Sequence, residues 1–262
     1  MKNDDHYDQE YYRFQLNYHC GSQLNGGPFS ILSKGMHKKT HKSVIIVTLF
    51  KKPVIVPEEV KILKKLHKIP GIVHYIDHYH ITNDTHYIVL EYFRAITLKA
   101  YISVYGRLSQ IQAQKVFSQI IQIVQHCSDL NILHRNIKPG NILINKITFQ
   151  IKLTNFGSSC FYGLQPLKSR VWYAIAPPEY FTQKSYTADG LNIWNLGLLL
   201  YKMLFHKNPF ETVHDIIFSP CQIPIQFKIS LEIKTLLLWT LEKNLIKRVT
   251  SKELCIQPWV KK

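Results

Sequence analysis

The hydrophobic pattern changes period along the chain, and the changes predict strands in the first third and mainly helices after it. Ser43-Val44-Ile45-Ile46-Val47-Thr48-Leu49 is a β-branched run and predicts a strand. Residues 71–93 alternate in two bursts, predicting two strands joined by a turn at Asn83-Asp84. Leu24 to Leu32 predicts a glycine-containing hairpin around Gly26-Gly27-Pro28, three residues that also suit an ordinary β-turn. Val56 to Leu66 shifts to helical spacing: Val60, Leu63 and Leu66 share one face, Pro57 marks the start, and acids follow in the first turn. A longer helix is expected from roughly Leu108 to Leu130, with Val116, Phe117, Ile120, Ile121 and Val124 on one stripe. Leu191 to Phe205 is apolar nearly all round through Trp194, Leu198 and Tyr201, which predicts a buried central helix. Interrupted by Asn195 and Lys202, that run falls short of the roughly 20 apolar residues that span a bilayer.

At 262 residues the chain has room for a large core. Its five cysteines (Cys20, Cys127, Cys160, Cys221, Cys255) are scattered and odd in number, so they predict neither a disulfide framework nor a zinc site. Together with the polar start Met-Lys-Asn-Asp-Asp-His, this predicts an intracellular protein, cytoplasmic or nuclear. His74, His78, His80 and His86 lack the spacing and the cysteine partners of a metal site. The formal net charge is +16, and residues 94–262 carry +13 of it. Such a field favours acidic partner surfaces. Nucleic acid is disfavoured, because the basic residues are not interleaved with aromatics in runs.

The chemistry concentrates in His134-Arg135-Asn136-Ile137-Lys138-Pro139-Gly140-Asn141, followed after a short apolar strand by Asn155-Phe156-Gly157. Pro178-Glu179, Trp194-x-Leu196-Gly197 and Arg248 come later in the same order. This series resembles the protein kinase superfamily, with an H-R-D catalytic loop, a D-F-G turn and an A-P-E motif. The resemblance implies an α+β, bilobal kinase-like fold: an extension over residues 1–17, then a kinase-like domain over 18–262 with a β-rich lobe at 18–93 and a helical lobe at 94–262. It also implies a structural pair between Glu179 and Arg248.

The resemblance assigns roles residue by residue, and several positions depart from the pattern. Asn136 stands at the catalytic aspartate, with Lys138 and Asn141 completing the loop. Asn155 stands at the aspartate that holds Mg²⁺, so a metal position at Asn141 and Asn155 is degenerate. Asn25, Gly27 and Ser30 occupy the phosphate-binding hairpin, where two glycines are missing and Pro28 removes a backbone donor. Val47 falls at the lysine that anchors ATP; Lys34, Lys51 and Lys52 are near but out of register. Glu59 falls at the helix carboxylate that pairs with that lysine, and reads equally as an acid favoured by its helix N-terminus. Leu90 takes the gatekeeper position, and the backbone from Glu91 to Phe93 the adenine-binding hinge.

Within the superfamily, residues 20–260 are similar to PIM-type serine/threonine kinases of the calmodulin-kinase group. The runs that carry this are Val56-Pro57-x-Glu59-Val60, Ile132-Leu133-His134-Arg135, Asn155-Phe156-Gly157-Ser158 and Trp194-x-Leu196-Gly197-x-Leu199-Leu200-Tyr201. Active members phosphorylate serine or threonine in arginine-rich peptides, but Pro139, Gly140, Thr97 and Ala100 stand where acids would read arginine. The expected function is therefore a pseudokinase that binds a protein partner, such as a related kinase or its regulator, with ATP and Mg²⁺ binding weak or absent. The alternative is an atypical active serine/threonine kinase built on Lys138 and Asn141.

Overall fold

The computed structural model describes residues 4–27, 29–50, 58–82 and 84–261. Pro28, Lys51, Lys52, Val56, Pro57 and Asn83, named above, lie outside them. The chain divides into one unit of residues 1–68 and 73–94 and a second of residues 69–72 and 95–262.

The first unit is built on a five-stranded antiparallel sheet. Helix α1 (Asp4–Asn17) leads into β1 (Tyr18–Gly27), β2 (Ser30–His37) and β3 (Ser43–Phe50). Helix α2 (Glu58–Leu66), β4 (Tyr75–Thr82) and β5 (Thr85–Glu91) follow, and the strand order is β1-β2-β3-β5-β4. Strand β3 lies between β2 and β5, so its β-branched run is buried at Val44, Ile46, Val47 and Leu49. Alternation then sorts the faces: Val44 and Ile46 join Tyr18, Tyr79 and Val89 in one cluster, closed by Phe14 of α1. Phe14 meets the rings of Tyr79 and Tyr87 at 5.4 and 4.7 Å and stacks on Tyr18 at 5.7 Å. Residues 1–17 carry no apolar stripe that predicts a helix, and this aromatic anchor is what docks α1.

Helix α2 buries Val60, Ile62, Leu63 and Leu66 and packs on β4. Its acids Glu58 and Glu59 open the helix while Lys64 and Lys65 close it, the charge order a helix dipole favours. The histidines of β4 and β5 form a stack. His80 and His86 lie parallel at 4.4 Å between centroids, and His78 Nε2 is 3.0 Å from His86 Nδ1. Burial holds His78 and His86 neutral, each down to about 4. No group of three or more His, Cys, Asp or Glu among the described residues is arranged to hold a metal ion.

The second unit is mainly helical. After β6 (Ile96–Thr97) come α3 (Leu98–Tyr105) and α4 (Gln110–Asp129), then β7 (Ile132–Leu133), β8 (Ile142–Ile144), β9 (Ile151–Leu153) and β10 (Cys160–Phe161). The chain continues through α5 (Pro178–Thr182), α6 (Ala188–Phe205), α7 (Val213–Phe218), α8 (Leu231–Thr240), α9 (Ser251–Cys255) and α10 (Pro258–Lys261). Helix α4 starts later than its apolar pattern, because Ser109 and Gln112 close a reciprocal capping box there. Helix α6 is buried on nearly every side. Gly197 lets it approach α8 closely: a Cβ there would come within 2.6 Å of Thr240 Oγ1 and 2.8 Å of Leu241 Cδ2.

Glu179, in the first turn of α5, receives Arg248 through two parallel bonds, Nη1 to Oε1 and Nη2 to Oε2, each 2.9 Å. Both side chains are almost fully buried. Arg248 also donates to the carbonyls of Glu242 and Gly190 and stacks its guanidinium against Trp194. The predicted structural pair is present, with the remaining guanidinium donors satisfied. No helix among the described residues is long and apolar enough to cross a membrane.

Candidate functional site

Strand β7 delivers the chain to His134, and pairing with β10 holds that strand in place. The His134 ring is buried, which pushes its imidazole down to about 4 and keeps it neutral. Its bonds suit one neutral tautomer: Nε2 donates to the Thr154 carbonyl at 3.1 Å, and Nδ1 accepts from the Asn136 backbone at 3.2 Å. Phe156 packs edge-on against the ring, 4.7 Å between centroids. His134 therefore ties the catalytic loop to the Asn155-Phe156-Gly157 turn. Arg135, at φ 59°, sends its guanidinium to the Ser158 carbonyl and to Ser169 Oγ.

Asn136, Asn141 and Asn155 are linked by two hydrogen bonds, the first to the backbone of Asn136 and the second between side chains. Asn141 Nδ2 donates to the Asn136 carbonyl at 2.7 Å, and Asn155 Nδ2 donates to Asn141 Oδ1 at 3.1 Å. Asn155 adopts left-handed backbone (φ 66°, ψ 67°), which asparagine tolerates better than most residues. The two metal-position side chains thus bond to each other, and no carboxylate stands at either position. A divalent cation would meet neutral amide oxygens here, one of which, Asn141 Oδ1, already accepts a hydrogen bond, and no carboxylate charge. Asn136 Oδ1 is buried and has no hydrogen-bond partner among the described residues. A side-chain amide there cannot take up a proton near neutral pH.

The nucleotide positions of the first unit are placed by the sheet. Val47 is buried, paired in register with Leu32 of β2 and Ile88 of β5. It puts an isopropyl group, which cannot pair with phosphate, at the strand position where the family motif carries its lysine. Lys34 stands over the Tyr92 ring at 4.9 Å. Asn25 and Gly27 on β1 face Leu32 and Ser30 on β2, and Asn25 Oδ1 caps the Gly26 backbone N–H at 2.8 Å. Glu59 is half-buried on α2. Leu90 is buried on β5 beside Ile45, while Glu91 closes the strand and accepts the His74 N–H through Oε1 at 2.7 Å. Phe93 follows in the segment after β5, half-buried.

Lys138 stands 5.5 Å from the centre of the Trp172 ring. Its ammonium is depressed by burial and by Lys99 of α3, and Lys202 of α6 is depressed by the same two causes. Sequence reasoning singled out neither Lys99, nor Trp172, nor a charge role for Lys202. They come from separate elements, and no spacing rule links them.

The matched family model, Protein kinase domain, covers residues 18–260. The chain is 26% identical over 261 residues to the serine/threonine-protein kinase prk-2 of Caenorhabditis elegans, covering 95% of this chain and 59% of that protein. It is 30% identical over 200 residues to the serine/threonine-protein kinase SIK2 of Gallus gallus, covering 72% of this chain and 24% of that one. A carbon catabolite-derepressing protein kinase of Secale cereale is also 30% identical over 205 residues, 74% of this chain and 41% of that protein. The chain thus spans about a quarter to three fifths of these relatives' lengths. Matched across nearly all its length, and carrying the loop, turn and buried ion pair in the expected order, the chain belongs to the protein kinase domain family, with distant homology to serine/threonine kinases of the calmodulin-kinase group.

Proposed function

We propose that this chain is a pseudokinase, a PIM-type serine/threonine kinase relative that works inside the cell by binding and modulating a protein partner, with little or no phosphoryl transfer. The Asn155 amide carries the reading, because it puts a neutral group, hydrogen-bonded to Asn141, where the family's metal-binding turn has a charged aspartate. At the base position Asn136 lacks a proton acceptor, and such a group contributes roughly 10²–10⁴-fold. With Val47 as the third loss, ATP binds weakly and with little dependence on Mg²⁺. The partner is a related kinase or its regulator with an acidic surface, matched to the net charge of +16.

A second reading, an atypical active serine/threonine kinase, draws on Lys138 and on Asn141, whose bond to the loop backbone is intact. Two experiments on the pure protein divide the readings. In a thermal-shift titration, ATP with Mg²⁺ should move the midpoint no more than ATP with chelator; a strong Mg²⁺-dependent shift overturns the metal argument. In a radiolabelled ATP assay with Mg²⁺ or Mn²⁺, the wild type should transfer no phosphate above the Lys138→Ala background. The triple variant Val47→Lys, Asn136→Asp, Asn155→Asp should gain Mg²⁺-dependent ATP binding where single reversions do little, since these groups act as a unit. Wild-type transfer equal to the triple variant's and abolished by Lys138→Ala would replace the pseudokinase reading with the second.

A further inference from the structure

The second unit holds a cavity of about 500 Å³ whose lining shares no residue with the asparagine cluster. Tyr201 of α6 lines it, buried, with its hydroxyl donating to the Gln222 carbonyl at 3.0 Å. Pro209, Pro220 and Pro224 line it as well, together with Ile223 and Ile225. Proline fixes its own φ and keeps the residue before it out of helical backbone. Ser219, before Pro220, is accordingly extended at φ −80° and ψ 131°, and Ile223 stands under the same restriction before Pro224. Residues 219–224 carry neither helix nor strand. Among the described residues, no hydrogen bond reaches the backbone N–H of Cys221, Gln222, Ile223 or Ile225, or the carbonyls of Cys221 and Ile223.

The electrostatics of the cavity set it apart from the unit around it. Among the described residues that line it, Asp215 alone is charged, and the start of α7 already engages that carboxylate. It accepts from the Thr212 hydroxyl and N–H at 2.8 and 3.0 Å, from the Ser219 hydroxyl at 3.0 Å and from the Glu211 N–H at 3.3 Å. In a chain of net charge +16, no lysine or arginine lines this cavity. A charged side chain entering it would lose water without gaining an ion partner. Ile225 is 98% exposed and Phe218, the last residue of α7, is 68% exposed. A single exposed apolar residue needs no explanation. Here two stand beside a cavity and a segment with open backbone donors and acceptors, the combination that lets an extended peptide add as a strand. Main-chain bonds then supply affinity and the pocket selects the side chain, whereas a small apolar molecule would leave the backbone groups open. We propose that the cavity and residues 221–225 bind an extended, uncharged apolar segment of a partner protein, seating one apolar side chain beside Ile223 and Ile225. The proposal deepens the binding-module reading and rests on it only for calling the bound protein a partner; phosphate transfer by the chain would overturn that reading and leave this site standing.

The test uses the pure protein without nucleotide, so its outcome is independent of any ATP assay. A displayed library of random dodecapeptides would be selected on the wild type and counter-selected on Ile225→Asp, and the enriched peptides measured by fluorescence anisotropy. Uncharged sequences with alternating apolar residues should be enriched, and Ile225→Asp should weaken them by about tenfold or more. Ile225→Ala, checked beside it by thermal melting, should weaken them less and supplies the comparison should the aspartate variant fold poorly. Ile246→Asp, at a residue 94% exposed before α9, should change binding less than about twofold. Methylating alternate backbone nitrogens of the peptide should weaken binding about tenfold in one register and little in the other, because only every second N–H of an added strand faces its neighbour. Added salt should change the affinity less than about twofold. The proposal is overturned if no enriched peptide depends on Ile225, if the dependent ones are acidic or basic, or if Ile246→Asp weakens them equally. Indifference to methylation in both registers also overturns it, since the contact would then be apolar stickiness without strand pairing.

Discussion

Two polar clusters of the second unit sit on family motifs and have opposite character. At Glu179 and Arg248 a full ion pair is buried, bidentate and surrounded by further acceptors. At Asn136, Asn141 and Asn155 every group is a neutral amide, and one buried oxygen has no partner among the described residues. The first joins α5 to the segment before α9 and has no part in chemistry; the second occupies the positions where phosphoryl transfer needs charge. The ion pair is fixed by two segments of the fold and saturated with partners, whereas the asparagine cluster is held by single neutral hydrogen bonds, so the two clusters should differ in how much stability each carries.

The largest effect should come from breaking the charged cluster. Arg248→Ala strands the Glu179 carboxylate in the interior, and truncating one member of a buried pair costs about 3–5 kcal/mol. Urea unfolding should show that loss, with circular dichroism of the folded variant unchanged; a loss below about 1 kcal/mol would mean that water reaches the carboxylate.

A smaller effect is expected from acid. His134 is neutral in the folded chain with its pKa lowered to about 4, whereas the unfolded chain titrates near the ordinary 6.5. A depressed histidine favours folding fully above the unfolded value and loses that contribution as pH falls toward 4, on the order of 3 kcal/mol for this buried ring. His78 and His86 act with the same sign. Chemical denaturation between pH 7 and pH 4.5 should show a falling free energy, with His134→Gln flattening the slope. A profile that is flat in the wild type contradicts the burial argument.

The smallest effect separates the clusters most sharply. Asn155→Asp replaces the amide donor by a carboxylate facing Asn141 Oδ1, costing about 1–2 kcal/mol without metal. Millimolar Mg²⁺ should recover part of it in a thermal melt. If the variant is as stable as the wild type in chelator, the amide bond carries no weight in holding the turn.

The strands and main helices were legible in the residues because burial imposes a period. Val44 to Leu49 and Val116 to Val124 read correctly for that reason. Helix α1 was not legible, since it buries little beyond Phe14 and depends on rings contributed by β4 and β5. The asparagine substitutions could be seen from their motif positions, yet the bond between Asn141 and Asn155 could not, because a side-chain amide finds its partner only after the backbone folds.

The docking of α1 has a consequence for the order of assembly. The ribosome makes this helix before the strands it docks on, and β4 arrives much later, with Asn17 and Tyr79 separated by 62 residues and bonded at 3.4 Å. Until β4 and β5 emerge, Phe14, Tyr18, Val44 and Ile46 lack the cover of Tyr79, Tyr87 and Val89, and closing that loop costs entropy before those contacts repay it. During synthesis the nascent chain therefore passes through an interval with an aromatic patch in water, a natural moment for a chaperone to hold it.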